Sequence, residues 1–183
     1  TVDARPAIVV ATAGAAPIAD GGYSAAILLD GTAMLSRPEL SATQETFAKW
    51  SECVSLVRAA GDVVVVADSE HPAVQALIRH DPAGFAQREL EQRTQVSLPP
   101  AVRLAALTGE PADVDEAMAL LALTPEIMKR GPVPGKDTQV RILLSCDRRL
   151  GLQLCAQLKA MTSARSAKHK GGSVNVRIDP QNL

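Results

Sequence analysis

A chain of 183 residues, 46% of them hydrophobic, is long enough to bury a core of its own, as one large domain or two small ones. Its net charge is −1, and no apolar run approaches the roughly 20 residues of a membrane-spanning helix. The opening TVDARPAIVV carries Asp3 and Arg5 and lacks the basic leader and cleavage signature of a signal peptide, so a cytoplasmic protein with no membrane partner is expected. Cys53, Cys146 and Cys155 form no C-x-x-C pair, and His71, His80 and His169 are scattered, so no zinc-ligand spacing is present and no cofactor is expected on these residues.

The net charge conceals an asymmetry. Residues 1–100 hold 7 Lys+Arg against 12 Asp+Glu, net −5, and residues 101–183 hold 12 against 8, net +4. An acidic half and a basic half point to different partners.

In the first half, AIVVAT (7–12), SAAILLD (24–30) and DVVVVAD (62–68) are short apolar runs of the kind that form strands buried on both faces of a parallel sheet. A helix is expected between the second and third. Ser41 and Gln44 have capping-box spacing, Phe47, Trp50, Val54 and Val57 recur at helical intervals, and Gly61 stops it. A helix from Pro72 should turn Val74, Leu77 and Ile78 inward. Another follows Asp81 as N-cap and runs to about Arg93, with Glu89 and Arg93 paired, until Pro99 and Pro100 prevent continuation. Three strands are few for a doubly wound sheet, and no phosphate-binding Gly-rich loop precedes them, which points to a segment of a longer protein.

The second half has the rhythm β-α-β-β-α-β: a strand over 102–107, a helix over 112–123, strands over 127–133 and 139–146, a helix over 148–162 and a strand over 173–179. That is the split βαβ, or ferredoxin-like, arrangement, an antiparallel sheet with both helices on one face. The alternation in VNVRI puts Val174, Val176 and Ile178 under the helices and leaves Asn175 and Arg177 on an open face. The division is therefore an α/β half over 1–100 and an α+β domain over 101–183.

No catalytic constellation is present: no G-x-S-x-G, no H-E-x-x-H and no activated Cys-His pair. Asp113, Asp115 and Glu116 are explained by the dipole of the helix they open. GPVP (131–134) is a turn or strand-edge device. Arg148 and Arg149 are more informative, because they fall in a first helical turn capped by Asp147, where the dipole disfavours cations unless an anion uses the site. Arg149 and Gln153, at i,i+4, project from one face and suit a carboxylate or phosphate; an ordinary solvated arginine is the competing reading. Arg165, Lys168 and Lys170, with His169, form a basic run that suits a nucleic-acid backbone, or equally a solvated loop. With Arg148 and Arg177 these are the DNA-binding candidates. Tyr23, Phe47, Trp50 and Phe85 are the only aromatics and all precede Pro100, so the second half lacks a base-stacking platform.

RELEQRTQVSLPP (88–100), GPVP, RILLSC followed by Arg149 and Gln153, and the terminal RIDPQNL occur in the order found in the C-terminal part of the PriA family of primosomal replication-restart proteins, which the whole chain resembles. The resemblance implies that residues 1–100 are the latter part of a second RecA-like helicase lobe and residues 101–183 a C-terminal DNA-binding domain. It implies partners: branched and single-stranded DNA, the acidic tail of single-stranded DNA-binding protein, and other primosome proteins at the nucleoid. Arg149 and Gln153 match an Arg-x-x-x-Gln pair that the family associates with that tail. Family members use ATP, and hold zinc in a part outside this chain. Here, however, ATAGAAP (11–17) stands where ATP-hydrolysing members have a Gly-Thr-Gln-like motif and Lys-Gly. CVSLVRAA (53–60) stands where they have Gln-x-x-Gly-Arg-x-Gly-Arg. Val57 and Ala60 take the arginine positions, and Arg58, one step away on the expected helix, is rotated by about 100°. Degenerate members of this kind occur in actinobacteria, with which the alanine-rich composition agrees.

The expected function is thus a non-catalytic DNA- and protein-binding portion of a replication-restart protein. The alternatives are a fragment of an active ATP-dependent 3′-5′ DNA helicase and a nucleotide-binding α/β enzyme fragment.

Overall fold

The computed structural model describes residues 2–3, 5–12, 14–168 and 171–180, and the side chain of Lys168 is not among what it describes. The chain forms two compact units, the first ending at Gln87 and the second running over Arg88–Pro180.

The first unit contains β1 (Tyr23–Leu28), α1 (Gly31–Leu35), α2 (Ala42–Ser55), β2 (Val57–Val65), α3 (Pro72–Ile78) and the start of α4 (Pro82–Gln95). β1 and β2 form a parallel pair, with Ile27 opposite Val64. Leu28, Phe47, Trp50, Val74, Leu77 and Phe85 make its core, where the rings of Phe47 and Phe85 stack at 4.3 Å.

Several sequence expectations are corrected here. AIVVAT forms no strand: Ile8 and Val10 are 95% and 93% exposed, and no strand lies beside them among the described residues. An apolar run shows affinity for a sheet, but a strand exists only where a neighbour supplies the hydrogen bonds. The helix expected to reach Gly61 stops at Ser55, and Val57 begins a strand whose backbone pairs with β1, Val57 opposite Tyr23 and Asp62 opposite Ala25. Arg58 is consequently an exposed strand residue. The helical-rotation argument against it does not apply, since one step along a strand reverses the face. The Ser41 hydroxyl donates to Glu45 (2.6 Å) and no capping box with Gln44 forms. Ile78 is exposed rather than inward.

α4 follows its expected rules: Asp81 Oδ1 accepts the Gly84 N–H at 2.8 Å, and Glu89 pairs with Arg93 at 3.4 Å. Arg93 also donates to the Pro99 carbonyl at 2.9 Å, so one guanidinium joins the end of the helix to the proline pair that follows it.

The second unit continues with β3 (Val102–Gly109), α5 (Pro111–Ala119), β4 (Met128–Pro134), β5 (Val140–Asp147), a 3-10 turn over Arg148–Leu150, α6 (Gly151–Lys168) and β6 (Asn175–Ile178). The sheet is antiparallel throughout with spatial order β4-β5-β3-β6, so β3 and β5 are central and β4 and β6 are edges. Leu107, Ile142 and Leu144 from one sheet face pack with Val114 and Ala117 of α5 and with Leu154, Leu158 and Met161 of α6. GPVP lies on edge strand β4, where the pairing skips between Arg130 and Val133 and Gly131 adopts φ 101°, a conformation glycine takes without strain. The face away from the helices is not simply open. Leu104 is 1% exposed, and Ala106 and Ser145 on the same face are also buried.

Candidate functional site

β5 ends at Asp147, whose Oδ1 accepts the Arg149 N–H at 2.8 Å. This bond closes the 3-10 turn that feeds α6 and sets Arg148 and Arg149 just ahead of that helix, as Asp147 capping leads one to expect. Gly151, the first residue of α6, lies under Arg103: a Cβ there would stand 2.7 Å from the Arg103 Cγ. The absent side chain lets the Arg103 stem cross the helix start and its guanidinium pair with Asp179.

Arg149 and Gln153 are both exposed, as is Arg148, and no carboxylate pairs with either arginine among the described residues. One further residue belongs beside them. Leu152 is 87% exposed at i+3 from Arg149 and adjacent to Gln153, giving the helix start an apolar contact next to a guanidinium and a carboxamide. A leucine in a helix reads as core from sequence; only its exposure reveals it. A cation, an amide and an apolar side chain together can hold a segment that alternates carboxylates with apolar groups.

The other expected contacts are dispersed. Arg165 is corrected outright: it is 9% exposed, and its guanidinium donates to Asp113 Oδ1 at 3.0 Å, to the Gly172 carbonyl at 3.0 Å and to Glu116. Three partners leave it no free face for a phosphate. Asp113 also accepts the Gly172 N–H at 2.7 Å, so the helix-dipole account of Asp113 and Glu116 omitted their main role, which is to hold Arg165 and the glycine turn. Arg177 is exposed on β6. Lys168 ends α6, and Lys170 lies outside the described residues. Burial pushes the Cys146 thiol up, with the Asp147 charge adding to the shift, which disfavours its thiolate. Among the described residues no group of three or more His, Cys, Asp or Glu side chains converges as a metal site, and no described helix is long and apolar enough to cross a membrane.

Residues 94–181 match the family model of the primosomal protein N C-terminal domain. The entire chain aligns, at 41% identity over 204 positions, with the probable replication restart protein PriA of Mycobacterium tuberculosis (strain CDC 1551 / Oshkosh), covering 31% of that protein. It aligns equally, at 41% over 197 positions and 30% of the relative, with the probable replication restart protein PriA of Mycobacterium leprae (strain TN). A split βαβ unit with this match is a primosomal C-terminal domain. Residues 94–181 thus carry the family's C-terminal domain, and the chain as a whole is similar to the replication restart proteins PriA, spanning about a third of the length of the curated relatives it matches.

Proposed function

We propose that this chain is the DNA- and partner-docking portion of a replication-restart protein: it binds branched and single-stranded DNA at stalled forks and takes the acidic C-terminal tail of single-stranded DNA-binding protein, so that the replicative helicase can be reloaded. The observation that carries the tail contact is the exposed trio Arg149, Leu152 and Gln153 ahead of and along the first turn of α6. The tail's carboxylates complement the guanidinium, the helix start supplies backbone N–H groups, and an apolar tail residue covers Leu152. The reading of the second unit as DNA-binding rests on its net +4 charge and the family match over residues 94–181, and without aromatics the contact falls to phosphates rather than stacked bases.

The first unit is proposed to be the latter part of a RecA-like lobe without ATP chemistry. Its parallel pair is apolar on both faces, with Leu28 buried and Ile27 and Val64 exposed, as in strands that belong to a larger sheet. CVSLVRAA retains a single arginine where the active pattern has two. DNA-stimulated phosphate release by the full-length protein would contradict this part of the proposal.

The tail contact is tested by fluorescence anisotropy with a peptide ending in alternating acidic and apolar residues. Arg149→Ala should weaken binding at least tenfold and Leu152→Ser severalfold, with thermal unfolding unchanged; unaltered affinity in both variants removes the site.

A further inference from the structure

We propose that the exposed margins of the sheet face turned away from α5 and α6, where Arg130 and Arg177 stand on either side of the half-buried Arg141, grip the phosphates of DNA. The proposal rests on the DNA-binding reading above and adds to it a surface and a mode of contact. Directly opposed residues on neighbouring strands project to the same face. The register pairs Arg130 of β4 with Leu143, Leu143 of β5 with Ala106, and Ala106 of β3 with Arg177 of β6, so Arg130 and Arg177 mark the two ends of one row across all four strands. The adjacent row runs Val133, Arg141, Thr108 and Asn175. Ile142, Leu144, Ala105 and Leu107 alternate with these residues and lie in the core beneath the helices, which puts both rows on the other face.

These rows contain three arginines and no carboxylate. At about 4.8 Å between strands, Arg130 and Arg177 stand about 14 Å apart at the backbone, with Arg141 between them one row away. Elsewhere in this unit, Arg103 and Arg165 are spent on carboxylates. None of the three face arginines makes a side-chain hydrogen bond or ion pair with a described residue. The Nε of Arg141 is buried and has no hydrogen-bond partner among the described residues. The face carries no aromatic side chain, so bases have nothing to stack on; a polyanionic backbone is the chemistry it complements.

The test is anisotropy of the 183-residue chain on forked DNA from about 50 to 200 mM salt. It compares the wild type, Arg130→Gln/Arg141→Gln/Arg177→Gln, and a control, Lys159→Gln, on the helix side. Each lost phosphate contact flattens the slope of log K against log salt by about 0.9, so the triple variant should lose about 2.7 of slope and at least tenfold in affinity at the lowest salt. The control should stay within twofold of wild type. Because Arg141 is partly buried, Arg130→Gln/Arg177→Gln serves as a second variant, expected to lose about 1.8 of slope with an unchanged melting curve. A wild type that binds forks while both variants keep its slope overturns the face and leaves the DNA-binding reading standing. A wild type that binds no fork DNA overturns both. Loss of acidic-peptide binding with DNA binding intact also overturns the face as a phosphate grip.

Discussion

The Asp113 carboxylate and the Arg165 guanidinium meet at 3.0 Å, tying the first turn of α5 to the last turns of α6. Both side chains are largely buried, and Glu116 and the Gly172 carbonyl complete the guanidinium's coordination. Removing the cation strands two carboxylates, one of them buried, so Arg165→Ala should lower unfolding stability by about 3 kcal/mol, the low end for breaking a buried pair. Urea unfolding measures this. Arg165→Lys should recover only part of the loss, because an ammonium cannot reproduce the planar fork. A variant of wild-type stability but poor DNA affinity would restore Arg165 to the DNA-contacting set.

Asp179 holds the edge strand β6 onto β3. Its Oδ1 accepts the Leu104 N–H at 3.0 Å, its own N–H donates to the Leu104 carbonyl at 2.7 Å, and its carboxylate pairs with Arg103. Asp179→Ala leaves the Leu104 N–H without its partner and places alanine at φ 45°, for a combined cost of about 1–3 kcal/mol. Asp179→Asn, which keeps an acceptor and tolerates that backbone, should cost less, and a denaturant titration of both variants separates the two effects. Equal losses would show that the ion pair with Arg103, not the acceptor, is what matters.

Cys146 gives a pH-dependent prediction. Burial first, then the neighbouring Asp147 charge, holds its thiol above the ordinary range. The unfolded thiol therefore ionises at lower pH than the folded one. Its contribution to stability is complete below the unfolded pKa and is lost as pH rises through the folded value, which places the effect on the alkaline side. At neutral to mildly alkaline pH, native alkylation should label the half-buried Cys53 and Cys155 ahead of Cys146, with Cys146 reacting only on unfolding. Mass spectrometry of the labelled peptides checks the order; early labelling of Cys146 contradicts it.

The second unit was more legible in sequence than the first, for a physical reason. Its strands alternate between a helix-covered face and another, so VNVRI and QVRILLSC carry a period as well as an apolar content, and turns punctuate them. The first unit's runs are apolar on both faces, and that composition cannot say which run finds a neighbour: SAAILLD and DVVVVAD pair with each other, whereas AIVVAT pairs with nothing described. The helix–strand junction at Ser55–Val57 is not legible in sequence, because Val54 and Val57 satisfy a helical interval as readily as a strand.

At the candidate site, Asp147 capping and the exposure of Arg149 and Gln153 followed from local rules. The role of Arg165 did not, because its carboxylates lie 49 and 52 positions away in sequence. Arg130 and Arg141 are illegible in sequence for a related reason: only strand register brings them onto the same face as Arg177. Charge runs along a sequence mark basic loops, whereas charges gathered across a sheet are visible only once the pairing is known.

In the proposed function this chain holds DNA by its phosphates and reads little of the bases. This is tested most directly by binding of the wild-type chain to forks of identical shape and three unrelated sequences, each titrated against salt. Affinities should agree within about twofold among sequences and fall steeply and in parallel with salt, with the slope set by the number of phosphates neutralised. Binding that depends on sequence while remaining flat in salt would contradict the account.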